Sequence, residues 1–209
     1  SVLIVLIAGF VVSTYFAVHE AHQRSLAISE RDQKTELLDI QIDHNSDLSI
    51  LLDTLIQRFD ALDEAASLAT LRVEHLESLL DRAQSNDHVL RVKLAHAFSE
   101  LARSRWTRRN PSFDDWSGAE QSLDRSDAVL DELQVAGITS SEQHMHRARN
   151  HMLRGDHARH VLKDSDATRD HYASALESVQ AAGAIDAQDA RVRTNHAIVL
   201  TGLGSIESR

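Results

Sequence analysis

Apolar positions between residues 48 and 83 recur at alternating steps of four and three, the spacing of one helix face. Further apolar residues flank this seam and make it wider than the stripe of a two-stranded coiled coil. The pattern predicts a heptad-patterned helix or helical hairpin over residues 47–85, packed within one chain. A homodimer joined through the 48–83 seam is the alternative interpretation. The seam residues are Leu48, Leu52, Leu55, Phe59, Leu62, Ala66, Ala69, Val73, Leu76, Leu80 and Ala83.

Five further amphipathic segments follow, and they resemble one another in pairs. Leu123 aligns with Tyr172 and Ser126 with Ala175, a shift of 49 residues. An internal period of about 50 residues with two helices per unit is typical of helical repeat arrays. The predicted helices span residues 87–106, 115–134, 141–162, 165–182 and 186–206.

Small residues within these segments predict how the helices pack and end. The same shift of 49 residues takes Ala148 to Ala197, and small side chains let paired helices approach closely. Gly137 and Gly183 each follow a partner helix, where glycine suits a left-handed C-terminal cap. We therefore expect residues 87–209 to form a tetratricopeptide-like α-solenoid of antiparallel helix pairs. The concave face of such a stack binds a protein or peptide.

The beginning of the chain has a different pattern, because residues 2–18 carry no charge. As a helix this segment would cover roughly 25 Å, slightly less than a bilayer core of about 30 Å. Tyr15 and Phe16 lie where interfacial aromatic residues occur. We expect a transmembrane helix over residues 1–19, with 2–18 in the lipid bilayer, and a helical stalk over 20–46. A secretory signal or a buried globular helix are the alternatives.

Composition supports an all-α protein and narrows the range of partners. The sequence has one proline and seven glycines, so few positions force a helix to stop. It has no cysteine, which excludes disulfides, thiolate metal sites and cysteine nucleophiles. The net charge of -10 disfavours nucleic acid as a partner, since phosphate binding requires a basic surface.

Motifs for catalysis are missing from the sequence. It contains no phosphate-binding loop, no nucleophile elbow and none of the protein-kinase catalytic motifs. The histidines that crowd one segment lack the i, i+4 pairing with a further converging ligand that zinc requires. We expect no enzyme activity, no cofactor and no metal site in this chain. Those histidines are His144, His146, His151, His157 and His160.

One irregular loop, residues 106–115, holds the only proline and is flanked by aromatic and basic side chains. Tryptophan and arginine are frequent anchors of protein interfaces. We therefore predict a partner-binding patch, with packing of the loop onto the helices as the alternative role of the two tryptophans. The patch residues are Trp106, Arg108, Arg109 and Trp116.

Residues 90–133 resemble the tetratricopeptide-like region of bacterial receptor-type serine/threonine protein kinases. In that family a helix ending in Leu-Gly leads through an Asn-Pro loop to a helix patterned Ala-x-x-Ser-Tyr-x-x-Ala-Leu. The second copy in this chain carries Tyr172 and Ala175-Leu176 at the matching places. In the first copy the family's places are occupied by Leu101-Ala102, Asn110-Pro111, Asp114-Asp115, Ala119, Ser122, Leu123 and Ser126. Three of these residues depart from the family pattern: Ala102 replaces glycine, Leu123 replaces tyrosine and Ser126 replaces alanine.

The resemblance implies a domain order and a function. In that family a cytoplasmic kinase domain precedes the membrane helix, and the repeats lie outside the cytoplasm. We therefore expect a single-pass protein of the bacterial inner membrane with an extracytoplasmic C-terminal region that senses or binds a protein. The chain begins at Ser1 without a methionine, and we interpret it as a piece of a longer protein. The alternative is the helical scaffold of another anchored protein, a transcription regulator or an assembly factor.

Overall fold

The computed structural model describes residues 62–83, 87–106 and 115–207 and the single positions 48, 50 and 54. Within these residues the chain is helical and has no strand, which confirms the predicted all-α class. The described residues belong to one compact unit, Leu48–Arg209. The elements are α1 (Leu62–Ala83), α2 (His88–Arg105), α3 (Trp116–Val135), α4 (Ser141–His157), a π-helical turn (Ala158–Leu162), α5 (Ser165–Ile185) and α6 (Ala190–Glu207).

Most of these helices begin at a side chain that caps the free backbone N–H groups of the first turn. Asp87 accepts from the amide of the third residue of α2, and Asp115 does the same for α3. Ser140 and Gln143 form a reciprocal capping box at the start of α4. Asp164 caps α5. The acidic residues Asp87, Asp115 and Asp164 therefore serve as caps.

The predicted glycine stops have different outcomes. Gly137 follows α3 with φ of +76°, the left-handed conformation expected of a helix C-terminus. Gly183 lies inside α5, so its predicted role as a stop is wrong. A Cβ at Gly183 would lie 3.5 Å from Cγ1 of Val192 in α6, which is an ordinary van der Waals contact. The helix ends instead at Asp186, whose carboxylate accepts from the amides that open the next turn.

Helices that are neighbours along the chain pack together, and α2 also packs on α4. Helices α2 and α3 run antiparallel, since Arg91 near the start of α2 pairs with Glu132 near the end of α3 and Arg105 at the end of α2 contacts Gly118 at the start of α3. One core cluster joins α2 and α3 around Trp106 and Leu123. A second joins α4, α5 and α6 around Ala148, Tyr172 and Val199. The small side chains at these contacts bring the helix axes close together.

Helix α1 shows how the described part of the heptad seam packs. Ala69, Val73 and Leu76 of the seam are buried, as are the flanking Ala65 and Leu79. This helix packs against α2 of the same chain. Burial of both the seam and its flank favours intrachain packing over these residues. Dimerisation through 48–83 stays a prediction, because most of 47–61 lies outside the described residues.

The shift of 49 residues relates burial in both pairs of helices, with one exception. Leu123 and Tyr172 are both buried, and so are Asn150 and Val199. Ala148 is fully buried whereas Ala197 is exposed. Helix α4 packs against α2, α3 and α5, whereas the packing of α6 among the described elements is chiefly against α5, so less of its surface is covered. Equal positions in the two units therefore share a core-facing side but differ where a neighbouring helix is missing from the described residues.

The predicted membrane location is corrected by the structure. None of the helices in the described ranges is long and apolar enough to cross a bilayer. Their amphipathic pattern is the physical reason, since charged side chains occupy their exposed positions. The predicted membrane helix (1–19) and stalk (20–46) lie outside the described residues. The prediction of a single-pass inner-membrane protein with an extracytoplasmic C-terminal region is therefore withdrawn.

Candidate functional site

A buried polar network joins α2, α3 and α4. The hydroxyl of Ser99 donates to Oδ1 of Asn150 at 2.6 Å and lies 3.1 Å from the hydroxyl of Ser126. The Asn150 amide donates to Ser126 at 3.0 Å and to Oδ1 of Asp127 at 2.7 Å. Leaving one such group without a partner would cost about 1–3 kcal/mol. The network therefore determines the register in which the three helices pack.

An ionisable cluster lies where α1, α2 and α4 approach one another. Arg72 and Glu100 form an ion pair in which each side chain is 2% exposed. The ring of His96 stacks on His146, with centroids 4.6 Å apart and planes inclined by 24°. Nη1 of Arg149 lies 3.0 Å from Nε2 of His96. A guanidinium has no acceptor, so the imidazole nitrogen accepts in this contact.

Burial keeps the two stacked imidazoles neutral. Burial lowers the pKa of His96 well below its ordinary value of 6.5, and the charges of His146 and Arg149 lower it further. Burial also lowers the pKa of His146, although Glu142 opposes that shift. Near neutral pH both rings are therefore uncharged, and the positive charge beside them belongs to arginine.

The two predicted tryptophans lie together at the corner between α2 and α3. Trp106 is 2% exposed and packs in the core, with its ring 5.4 Å from that of Trp116 in an edge-to-face arrangement. The ring of His157 stacks on Trp116 at 3.7 Å. Arg108 and Arg109 lie outside the described residues. A partner could reach Trp116 but not the buried Trp106, and the binding role of this patch stays a prediction.

Tyr172 of α5 lies between two glycines of other helices. Its ring packs on Gly155 of α4, where a Cβ would lie 2.7 Å from Cδ2. It packs still more closely on Gly202 of α6, where a Cβ would overlap Cε1 and Cδ1 at the other edge of the ring. The hydroxyl donates to Oδ1 of Asp156 at 2.7 Å. The Tyr172 ring therefore lies between α4 and α6, and it lines the groove described next.

We define the groove as two adjoining cavities of about 190 Å³ and about 730 Å³. Both cavities are lined by Asp156, Tyr172 and Ile198, so they adjoin at these residues. The smaller one extends between α2 and α4 over Leu123, and the larger one extends between α4 and α6. Alternate helices of the chain therefore form the walls, and residues of α3 and α5 form part of the floor.

The groove walls combine basic, hydroxyl and aliphatic side chains. Arg103 of α2 and Arg149 of α4 line the smaller cavity. Arg159 lines the larger one and donates to the hydroxyl of Ser205 at 2.7 Å. Ile198 of α6 is 50% exposed at the junction of the two cavities. Such a lining offers charge-assisted hydrogen bonds and an apolar contact, which suits binding of a ligand.

The described residues contain no cluster of side chains that could bind a metal ion, at this groove or elsewhere. Within those residues no group of three or more His, Asp or Glu side chains could hold a metal ion. Several of the crowded histidines have other contacts, since His146 stacks on His96 and His157 on Trp116. The expectation that the chain has no metal, cofactor or catalytic site stays a prediction.

Sequence reasoning did not identify the groove residues as a set. Arg103, Arg149 and Ile198 lie on three separate helices, and no local motif connects them. The available signal was the alternation of helices in a two-helix repeat, which places every first helix on one face. The alternation of helices predicts a concave face, but it does not give the orientation of each helix about its axis. That orientation decides which side chains line the concave face.

Comparison with known proteins does not add to this picture, because no protein-family model, curated protein or solved structure matches the chain.

Proposed function

We propose that the described helices form a tetratricopeptide-like interaction module that binds a protein or peptide segment in the groove between α2, α4 and α6. The observation that carries this proposal is the adjoining pair of cavities whose walls come from alternate helices. Two-helix units that stack side by side place their first helices on one face, where a ligand can cross several units.

The packing of the helices supports this arrangement. Helix α2 pairs with α3 and α4 with α5, and α2 also contacts α4. Contacts between helices two places apart along the chain are what stacking of helix pairs produces. The buried Ser99–Asn150 hydrogen bond connects the first helices of the two units, and it holds the groove walls at a defined spacing.

The shape of the groove also supports an extended ligand over a compact one. The cavities are open to solvent and run across helices, and they present side chains at intervals along their length. Peptide-recognition surfaces use such spacing to contact several side chains of one segment. A non-catalytic role in binding follows, with specificity determined by the side chains of the groove walls.

The wider role we propose is that of a sensor or interaction region in a bacterial signalling protein. Its support is the resemblance of residues 90–133 to the tetratricopeptide-like region of receptor-type serine/threonine kinases. Sequencing the whole open reading frame that contains this chain tests this proposed role. Kinase catalytic motifs in the same frame are expected. A DNA-binding domain there would instead assign the module to a transcription regulator.

The binding function itself is tested by blocking the groove. Ala197 is exposed and lines the larger cavity, so Ala197→Trp would fill it. Ala173 of α5 is also exposed, and Ala173→Trp is the matched control away from the groove lining. Peptides are first selected from a displayed random library on the unmodified chain, and their affinities for both variants are then measured by fluorescence anisotropy.

We expect Ala197→Trp to weaken binding of the selected peptides at least about tenfold, a loss of about 1.4 kcal/mol. The Ala173→Trp control should bind them with unchanged affinity. Circular dichroism of both variants verifies that they are folded. Equal binding by both variants, or selection of no peptide at all, would contradict the proposal.

A further inference from the structure

The groove carries a charge opposite to that of the chain as a whole. The sequence has a net charge of -10. Among the described residues that line the two cavities, the basic side chains are Arg103, Arg149 and Arg159, and the acidic one is Asp156. Oδ1 of Asp156 accepts a hydrogen bond from the Tyr172 hydroxyl. A basic lining on an acidic protein selects for ligands by local charge.

The two arginines of the smaller cavity project from different helices. Arg103 comes from the last turn of α2 and Arg149 from the middle of α4. The Ser99–Asn150 hydrogen bond joins these two helices in the same cavity, so the spacing of the arginine backbones is set by a buried contact. A guanidinium on a fixed backbone presents a planar fork that matches a carboxylate.

An aliphatic contact lies beside the arginines. Ile198 lines both cavities and is 50% exposed, although it is a large hydrophobic side chain. An exposed apolar side chain beside basic groups in the groove gives a ligand an apolar surface to bury. The ligand that this lining fits therefore carries carboxylates and an aliphatic side chain near one another.

We infer that the groove binds an acidic peptide segment whose carboxylates contact Arg103 and Arg149 and whose aliphatic side chain packs on Ile198. This inference rests on the proposed function and adds the chemical class of the partner. The peptide side chains supply the negative charge, and the main chain runs across α2, α4 and α6.

Single-stranded nucleic acid is the other polyanion to consider, and the lining disfavours it. Binding of single strands relies on aromatic side chains on which bases stack. The aromatic residue of the groove, Tyr172, is packed between Gly155 and Gly202 and does not offer a ring face to a base. The net charge of -10 also repels a long polyanion more than a short peptide with a few carboxylates.

Peptides of matched length test the inference on the full chain. One alternates glutamate with leucine, a second alternates glutamine with leucine, and a third alternates lysine with leucine. Their affinities are measured by fluorescence anisotropy, together with that of a poly-uridine oligonucleotide. The variants are Arg103→Gln, Arg149→Gln and Arg169→Gln. Arg169 lies on α5, pairs locally with Asp166 and serves as the matched control.

The glutamate-leucine peptide should bind at least about tenfold more tightly than the glutamine-leucine peptide, and the lysine peptide should not bind. Arg103→Gln and Arg149→Gln should each weaken glutamate-leucine binding about tenfold, the scale of one charge-assisted hydrogen bond. Arg169→Gln should leave affinity unchanged. Since Arg149 also contacts His96, the unfolding free energy of Arg149→Gln is measured in parallel to separate binding from folding.

Each contrary result has a distinct meaning. If the glutamine-leucine peptide binds as tightly as the acidic one and Ala197→Trp blocks both, the acidic preference is wrong while the groove remains a peptide site. Tighter binding of poly-uridine than of the acidic peptide likewise overturns the inference. If Ala197→Trp blocks none of the ligands that bind, or if no peptide binds, the proposed function fails together with the inference.

Discussion

Two glycines of α6 should respond in opposite ways to substitution by alanine. Gly202 faces the ring of Tyr172, and a Cβ built there would overlap the ring carbons. Gly204 lies two residues further along the same helix, and a Cβ there would have no neighbouring side chain or other helix within 4 Å. The two substitutions add the same methyl group to the same helix, so their difference isolates the contact with the tyrosine.

The magnitude follows from two opposing terms. Alanine is favoured over glycine within a helix by about 0.8–1.0 kcal/mol, and Gly204→Ala should gain roughly half of that or more near the helix end. Overpacking of a close contact typically costs about 1–3 kcal/mol. The upper part of that range applies at Gly202, because Gly155 supports the opposite side of the Tyr172 ring and prevents it from moving away. Gly202→Ala should therefore lose roughly 1–2 kcal/mol net.

Urea denaturation followed by circular dichroism measures both unfolding free energies. Tyr172→Leu alone and the double variant, Gly202→Ala with Tyr172→Leu, complete the cycle, because a smaller side chain should remove most of the clash. The expected order of stability is Gly204→Ala, then the unmodified chain, then Gly202→Ala. A Gly202→Ala variant as stable as Gly204→Ala would refute the close packing of the ring. A coupling energy near zero in the double variant would refute the assignment to Tyr172.

Three further predictions concern the buried polar groups. Burial lowers the pKa values of His96 and His146, so the unfolded chain binds protons that the folded chain excludes. The unfolding free energy should therefore decrease as the pH falls below about 6.5. Equal urea midpoints at about pH 7.5 and about pH 5.5 would contradict this prediction. Glu100→Gln should cost about 3–5 kcal/mol by removing the countercharge of Arg72, whereas replacing both residues by methionine should cost much less in the same assay. Asn150→Ala should cost about 1–3 kcal/mol or more, and a change below about 0.5 kcal/mol would show that the network contributes little.

Local signals in the sequence predicted the helices well. The amphipathic segments predicted at 141–162 and 165–182 appear as Ser141–His157 with its π-helical turn and Ser165–Ile185. Capping by Asp115 is a local feature of the same kind, because a short acidic side chain at a helix start acts within one turn of its own backbone. Such features depend on residues three or four apart, so the pattern of a single sequence contains them.

The candidate site could not be obtained in the same way. The predicted patch placed Trp106 at a binding surface, but its ring is buried at the α2–α3 corner. Trp116 beside it stacks on His157, a residue 41 positions later in the chain. The local sequence around an aromatic residue near a loop is the same whether the side chain faces a partner or the core. Whether the side chain is buried depends on which distant helix packs over it.

The sequence by itself determined that this is a helical protein and where most of its described helices begin and end, because periodicity and capping are local properties of the chain. Tertiary structure alone decided which faces meet. Ala197 is exposed although Ala148 is buried, because more of the described helices cover α4 than α6, and the Tyr172 ring packs between Gly155 and Gly202 beside the groove. These outcomes depend on steric fit between side chains far apart in sequence, and close packing makes that fit decisive.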